Sequence, residues 1–291
     1  MRTVSTADGR ILAVREGGDP AGFPVLVLGG TPSSSLLYGP HLLDAKRRGI
    51  RLFSYDRPGY GDSTRCAGRV VADCANDVAA VCDALGIQQF CVWGASGGGP
   101  HALATAALLP DRVVAAAALA PLAPYDAQGL DFYAGRGDPN IEEFRAAAEG
   151  GLALMAILER DGAEILSTTP DQLVVVLRAM LGRADVAVLT NELAEYLLEC
   201  TRAGIQHSLD GWLDDDLAFV RPWGFDLASI RVPVLHWQGA QDKFVPFSHG
   251  VWLSRHIPGV DSRLTPSDGH FTLTARCVPD VHAWLLKQSK A

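Results

Sequence analysis

Short apolar runs and amphipathic stretches alternate along the first 120 residues. The runs Phe23–Leu28, Ile50–Tyr55, Val113–Leu119 and the one opening at Phe90 lack polar alternation, as strands covered on both faces do. Thr3 to Glu16 reads as a hairpin with Ala7-Asp8-Gly9-Arg10 at its turn, broken at Gly17-Gly18-Asp19-Pro20. Helical spacing runs from about Ser35 to Arg47, where serines are available as caps, from Val70 to Leu85, and from about His101 to Leu109. Strand and helix in alternation predict an α/β, doubly wound and mostly parallel sheet. Such sheets carry their sites at the carboxyl ends of strands.

The pattern changes after Pro121. From about Asn140 to Asp216 the periodicity is helical with no clear strand, and the candidates are Ile141–Glu159, Asp171–Leu181, Asp185–Arg202 and His207–Phe219. A helical block between two strands reads as an inserted cap, which would shape a cavity and exclude water. The sheet resumes at Val232–Trp237. Then come the loop Gly239–Pro246, a helix from about Phe247 to His256, a short strand at Ser262–Leu264, the loop Ser267–Phe271 and a closing helix to about Gln288. The expected division is a core of residues 1–121 and 230–291 around a cap of residues 122–229.

Composition narrows the class. The chain has 291 residues, enough for one large α/β domain with an insertion. With 48% hydrophobic and 20% charged residues, a sizeable core is expected and global disorder is not. The net charge of -8 argues against nucleic acid or an anionic membrane as partner. The longest basic run, Lys46-Arg47-Arg48, suits a helix C-terminus. Met1-Arg2-Thr3-Val4 carries no apolar signal region and no run is long enough to span a bilayer, so a cytoplasmic protein acting on a small molecule is expected. The cysteines Cys66, Cys74, Cys82, Cys91, Cys200 and Cys277 show neither C-x-x-C pairing nor zinc spacing with histidine. They read as reduced thiols, with no metal site.

The chemistry centres on Phe90–Pro100. An apolar strand meets Gly94-Ala95-Ser96-Gly97-Gly98, which fits G-x-S-x-G, and a helical pattern follows. This is the context of a nucleophile elbow, with Gly94 and Gly98 leaving room for strand and helix to approach. Ser96 would stand at a helix N-terminus, where unpaired N–H groups can hold a developing negative charge. A serine hydroxyl needs a histidine to take its proton, and the histidine needs a carboxylate to fix its tautomer. In this architecture they follow in the order serine, acid, histidine. Asp242 and His270 stand in late glycine-flanked loops in that order. The other histidines lie in a strand, in helical patterns or, for His207, in the cap, where a bland role is expected. Asp268 is expected to shape the His270 loop, Asp126 stands well past two prolines, and Asp210, Asp214, Asp215 and Asp216 are expected to face water or cap a helix.

Two backbone N–H groups would complete an oxyanion hole. One belongs to Gly97, and the other comes from Gly29-Gly30-Thr31-Pro32, with Thr31 preferred and Gly30 the alternative. Pro32 has no N–H. The glycine pair lacks G-x-G-x-x-G and a P-loop lysine, which disfavours a nucleotide site. Asp56-Arg57-Pro58-Gly59-Tyr60-Gly61 reads as a turn builder, with Asp56 and Arg57 bonding to backbone or to each other near the site.

Taken together these motifs resemble the α/β-hydrolase fold superfamily over about Val25–Leu119 and Val232–Leu286. The resemblance implies an eight-stranded sheet flanked by helices with an inserted helical cap, no cofactor, and hydrolysis through an acyl-enzyme. Gly29 stands where many members carry a histidine. The Asp56–Gly61 turn looks like that of proline iminopeptidases, but the Gly29–Pro32 loop and Gly97 depart from their pattern. Serine at position 96 disfavours haloalkane dehalogenases and epoxide hydrolases, which use aspartate. The expected activity is cleavage of a small or medium-sized apolar ester by a Ser96–His270–Asp242 triad. A carbon–carbon bond hydrolase, an amidase, and a slow-turnover ligand receptor are the alternatives. Leu152, Met155, Leu158, Leu177, Met180, Leu181, Leu197 and Trp212 are the candidates for an apolar ceiling.

Overall fold

The computed structural model describes residues 1–189 and 191–290. Position 190, inside the predicted helix Asp185–Arg202, and position 291 lie outside the described residues. The strands are β1 (Arg2–Ser5), β2 (Ile11–Gly18), β3 (Phe23–Leu28), β4 (Ile50–Tyr55), β5 (Phe90–Ala95), β6 (Val113–Leu119), β7 (Val234–Gly239) and β8 (Asp261–Thr265). They form one eight-stranded sheet in the order β1-β2-β4-β3-β5-β6-β7-β8. The pairs β1–β2 and β2–β4 are antiparallel and the remaining pairs are parallel. β2 runs on through Gly17 and Gly18, which pair with Leu52 and Arg51, so the predicted break falls just after them.

The period of two divides the core. Leu26, Leu28, Phe53 and Val92 face one side, and Val25, Val27, Leu52, Cys91 and Trp93 face the other. The helices α1 (Gly39–Arg48), α2 (Cys74–Leu85) and α3 (Gly98–Leu108) follow β3, β4 and β5, and α2 and α3 pack on the first face while α1 packs on the second. Each fully buried Leu, Val or Phe contributes about 1.5–3 kcal/mol. α1 starts at Gly39, with Pro40 in its first turn, rather than at Ser35. The serines before it serve other contacts: Ser34 N–H donates to the Cys200 carbonyl (3.0 Å) and Ser35 N–H to Asp56 (2.5 Å). Gly49 ends α1 in the left-handed region (φ 69°), and Lys46, Arg47 and Arg48 occupy its last turn as predicted.

Between β6 and β7 lie α4 (Asp138–Glu149), α5 (Gly151–Ser167), α6 (Pro170–Val176), α7 (Arg183–Val188), α8 (Asn191–Ile205) and α9 (Asp210–Phe219). The predicted Ile141–Glu159 helix is two helices, because Gly150 takes φ 128° and turns the chain. The predicted Asp171–Leu181 helix stops at Val176, and the last begins at Asp210 rather than His207. This insertion touches loops that follow strands at their carboxyl ends. Gly204 carbonyl accepts Gly61 N–H (2.8 Å), and Tyr60, fully buried, sits under Trp212 and Leu213. After β7 come α10 (Phe247–His256), β8, the single turn α11 (His270–Thr272), a π-turn at Leu273–Cys277 and α12 (Val278–Gln288). α10 lies on the sheet face that carries α2 and α3, against β7 and β8, and α12 packs with α1 on the other face.

Candidate active site

The turn between β5 and α3 is built around Ser96, which takes φ 52°. A non-glycine residue there costs about 1–3 kcal/mol of strain, so its surroundings must enforce it. Ser96 N–H donates to Leu119 carbonyl on β6 (2.8 Å), and Gly99 N–H donates back to Ser96 carbonyl (2.8 Å). The flanking glycines are obligatory. A Cβ on Gly94 would lie 2.1 Å from Gly98 carbonyl oxygen, and one on Gly98 would lie 2.1 Å from that of Leu28. The sequence reading of Gly94 and Gly98 as room for close approach thus has its physical cause.

The loop after β7 presents Asp242, and the loop after β8 presents His270. Asp242 Oδ2 accepts from His270 Nδ1 at 2.8 Å and from Gln238 Nε2 at 3.2 Å, while Oδ1 accepts the Phe244 and Val245 N–H groups at 2.8 and 2.9 Å. The imidazole stacks on Phe244 (4.7 Å between centroids) and meets the edge of Phe271. Burial alone would pull the His270 imidazole down. The Asp242 carboxylate outweighs that, and the net shift is upward from the ordinary histidine value. A ring committed through Nδ1 leaves Nε2 free to take up or give a proton. Ser96 and His270 line one cavity, and no hydrogen bond joins their side chains among the described residues.

A residue that sequence reasoning missed fixes the His270 turn. Asp185, on α7 of the insertion and fully buried, accepts the N–H of His270 (2.9 Å), Phe271 (2.8 Å) and Thr272 (3.0 Å). A Cβ on Gly269 would lie 2.3 Å from that carboxylate. The carboxylate satisfies the orphan donors at the start of a helical turn, as an N-cap does, but comes from 85 positions away.

The Gly29–Pro32 loop is set from its other side by Arg57. The guanidinium donates to Gly29 and Gly30 carbonyls, both at 2.7 Å. In a trans peptide the carbonyl and the next N–H point opposite ways. The N–H groups of Gly30 and Thr31 are therefore turned away from Arg57. Gly30 packs against Ser96, and Gly97 packs against Thr31. Arg57 in turn is paired with Asp215 on α9 (2.6 Å), which also pairs with Arg69 (2.6 Å) and accepts from Tyr60 (2.9 Å) and Thr31 (2.7 Å). Burial would raise the Asp215 carboxyl, but the two guanidinium groups hold it well below the usual carboxylate range. The expected bonding of Arg57 to backbone is observed. Asp56 bonds separately, to the N–H of Ser35 (2.5 Å) and of Asp62 (3.4 Å).

Two cavities meet at Ser96 and share Thr31, Pro32, Ile165, Leu177 and Phe244 in their walls. One, about 220 Å³, is lined by His270 and by apolar and aromatic side chains such as Tyr38, Leu173, Tyr196 and Leu197. The other, about 590 Å³, is lined by Gly97, Arg136, Glu143, Trp212 and Asp216. Among the ceiling candidates, Leu177, Met180, Leu197 and Trp212 line a cavity. Leu181 and Leu158 are packed in the insertion, Met155 packs with Leu158, and Leu152 is 95% exposed and faces water. Contrary to the expectation that they face water or cap a helix, Asp214, Asp215 and Asp216 are buried. Asp214 pairs with Arg65 (2.9 Å), and the buried guanidinium groups of Arg57 and Arg69 explain why Asp215 tolerates burial. His207 is on the surface near Asp62 and Asp126 is exposed. Burial pushes His101 down to about 3, so this histidine beside Asp215 is a neutral core residue. The six cysteines are free thiols. Among the described residues no three metal-ligating side chains converge, and no helix is long and apolar enough to cross a membrane.

A family model described as alpha/beta hydrolase fold matches residues 24–274. Among curated proteins, a 2-hydroxy-6-oxononadienedioate/2-hydroxy-6-oxononatrienedioate hydrolase of Burkholderia vietnamiensis is 28% identical over 228 residues, 77% of this chain and 71% of that protein. A non-heme chloroperoxidase of Streptomyces lividans is 29% identical over 268 residues, 88% of each chain. Among solved structures, a thermophilic esterase from Thermogutta terrifontis superposes with a TM-score of 0.72 at 21% identity, covering 99% of this chain and 98% of that one.

Proposed function

The chain belongs to the alpha/beta hydrolase fold family, and from that premise we propose that it is a cofactor-independent serine hydrolase that cleaves an ester through an acyl-enzyme. One observation carries the reading: Ser96, strained at φ 52°, shares a cavity with His270, whose Nδ1 is bonded to Asp242 at 2.8 Å. Ser96 Oγ attacks the carbonyl carbon and its proton passes to His270 Nε2. Asp242 holds the ring in the tautomer that leaves Nε2 unprotonated beforehand and stabilises the imidazolium afterwards. The N–H groups of Gly97 and Thr31, with Gly30 as alternative, hold the oxyanion, each worth about 3 kcal/mol. The bond to the leaving oxygen breaks as His270 returns the proton to that oxygen. Water, giving a proton to His270, then attacks the acyl carbon. The acid leaves as the proton returns to Ser96. The insertion acts as a cap over both cavities, and the substrate is a small molecule.

Labelling with an active-site fluorophosphonate, read by mass spectrometry, tests this beside turnover of p-nitrophenyl esters. The expected result is label on Ser96 and a loss of about 10³-fold or more in kcat for Ser96→Ala. No label on folded protein would overturn the assignment. A carbon–carbon bond hydrolase is the second reading, because one relative at 28% identity bears such a name. Turnover of a vinylogous diketone acid with negligible ester cleavage would select it.

A further inference from the structure

The two cavities at Ser96 differ in chemistry as well as in size. In the larger one, Asp216 is 2% exposed and its Oδ2 has no hydrogen-bond partner among the described residues. Beside it, Glu143 accepts from Trp212 Nε1 at 2.7 Å. Burial pushes both carboxyl groups upward, and Glu143 adds to the shift at Asp216. Asp216 is buried and Glu143 half-buried, and two neighbouring carboxyl groups in such a setting disfavour ionisation of both. The buried cation of this chamber, Arg136, is committed elsewhere. Its guanidinium donates to Phe132 carbonyl (2.9 Å) and Phe244 carbonyl (2.5 Å), and stacks on the rings of Phe132 and Phe144. At the mouth, Arg160 is paired with Glu142 (3.0 Å) and Asp161 (2.7 Å). The two carboxyl groups therefore line a chamber large enough for a ligand group and have no uncommitted cation beside them among the described residues.

We infer that this chamber takes the acyl arm of the substrate, and that the arm carries a hydrogen-bond donor, a hydroxyl or an ammonium, against Glu143 and Asp216. The smaller chamber takes an apolar leaving group. The assignment of arms rests on the serine hydrolase reading above. In that mechanism the leaving oxygen must receive the proton of His270. His270 lines the smaller chamber and not the larger, so the leaving group belongs in the smaller. The acyl arm then extends past Gly97 into the acidic chamber. A carboxylate there would meet two carboxyl groups and, among the described residues, no uncommitted cation, so acid-bearing acyl groups are disfavoured by the same wall.

Phenyl esters of butanoate, 3-hydroxypropanoate, 3-aminopropanoate and malonate test this on the unmodified enzyme, together with the arm-reversed 2-hydroxyethyl benzoate. The hydroxy or the amino ester is expected to exceed butanoate in kcat/KM by about tenfold or more, and malonate to fall about tenfold below it. Whichever of the two is preferred tells a hydroxyl from an ammonium. The reversed ester is expected to be the poorer substrate. In Asp216→Asn the ratio of the preferred ester to butanoate is expected to shrink towards one, a ratio taken within one protein and independent of its stability. Butanoate equal to or better than both donor-bearing esters, or preference for the reversed ester, would overturn the inference and leave the serine hydrolase standing. Absence of Ser96-dependent turnover on every ester would overturn the mechanism itself.

Discussion

Two buried aspartates of the insertion, Asp215 on α9 and Asp185 on α7, reach down to the two loops that flank Ser96, and they are held in opposite ways. Asp215 meets two guanidinium groups, a tyrosine and a threonine hydroxyl. Asp185 meets three backbone N–H groups of the His270 turn. The first is a charge cluster whose desolvation penalty is offset only while every partner is present. The second is a carboxylate bonded to neutral donors, which positions backbone directly. One therefore governs whether the insertion and the core stay together, and the other governs where the His270 turn sits.

Substitution separates them. Asp215→Ala leaves the Arg57 and Arg69 guanidinium groups buried without their carboxylate, and a loss of about 3–5 kcal/mol is expected in urea unfolding. A loss below about 1 kcal/mol would show that solvent reaches the cluster. Asp185→Ala strips three N–H groups of their acceptor, and a smaller loss of about 1–3 kcal/mol is expected. Its larger signature is kinetic, a fall in kcat of about tenfold or more with little change in KM, since the proposed mechanism uses His270 in the chemical step. Equal falls in kcat for Asp215→Asn and Asp185→Asn, at temperatures where both are folded, would erase the distinction.

The pH profile gives the smallest and most specific effect. In the proposed mechanism neutral His270 is the base, so kcat/KM is expected to rise with pH and level off above the His270 pKa. That pKa lies above the ordinary histidine value, with the Asp242 carboxylate as the main upward cause and Asp185 as a further one. Asp185→Asn is expected to move the midpoint to lower pH, and Asp215→Asn to leave it in place. The same shift has a stability counterpart. The proton bound more tightly in the folded state stabilises the protein below the unfolded histidine pKa, and this contribution is lost as pH rises through the folded value. A midpoint unmoved by Asp185→Asn would show that the carboxylate acts on backbone placement alone.

The sheet and the insertion were unequally legible. β3, β4 and β6 begin and end where their apolar runs do, because a strand buried on both faces leaves a continuous local signal. The insertion was legible as helical, but Gly150 and the stretch after Val176 broke helices that periodicity alone joined. Its three consecutive aspartates looked solvent-facing because nothing beside them in sequence marks the arginines that Asp214 and Asp215 meet or the Glu143 carboxyl beside Asp216.

Some properties were determined along the chain itself. Glycine spacing around Ser96 set a turn that only small residues permit, and the order of Ser96, Asp242 and His270 followed from where strands end. These depend on neighbours a few positions apart or on strand periodicity. Only the tertiary structure decided that Asp185 braces the His270 turn, that Arg57 turns the Gly29–Pro32 loop, and that Glu143 and Asp216 wall an acidic chamber beside Ser96. Thr31 and Asp215 are 184 positions apart, and Asp185 and His270 are 85 apart. A hydrogen bond over such a distance imposes no periodicity and no turn on either segment, so its partners are visible only once the insertion has folded onto the sheet.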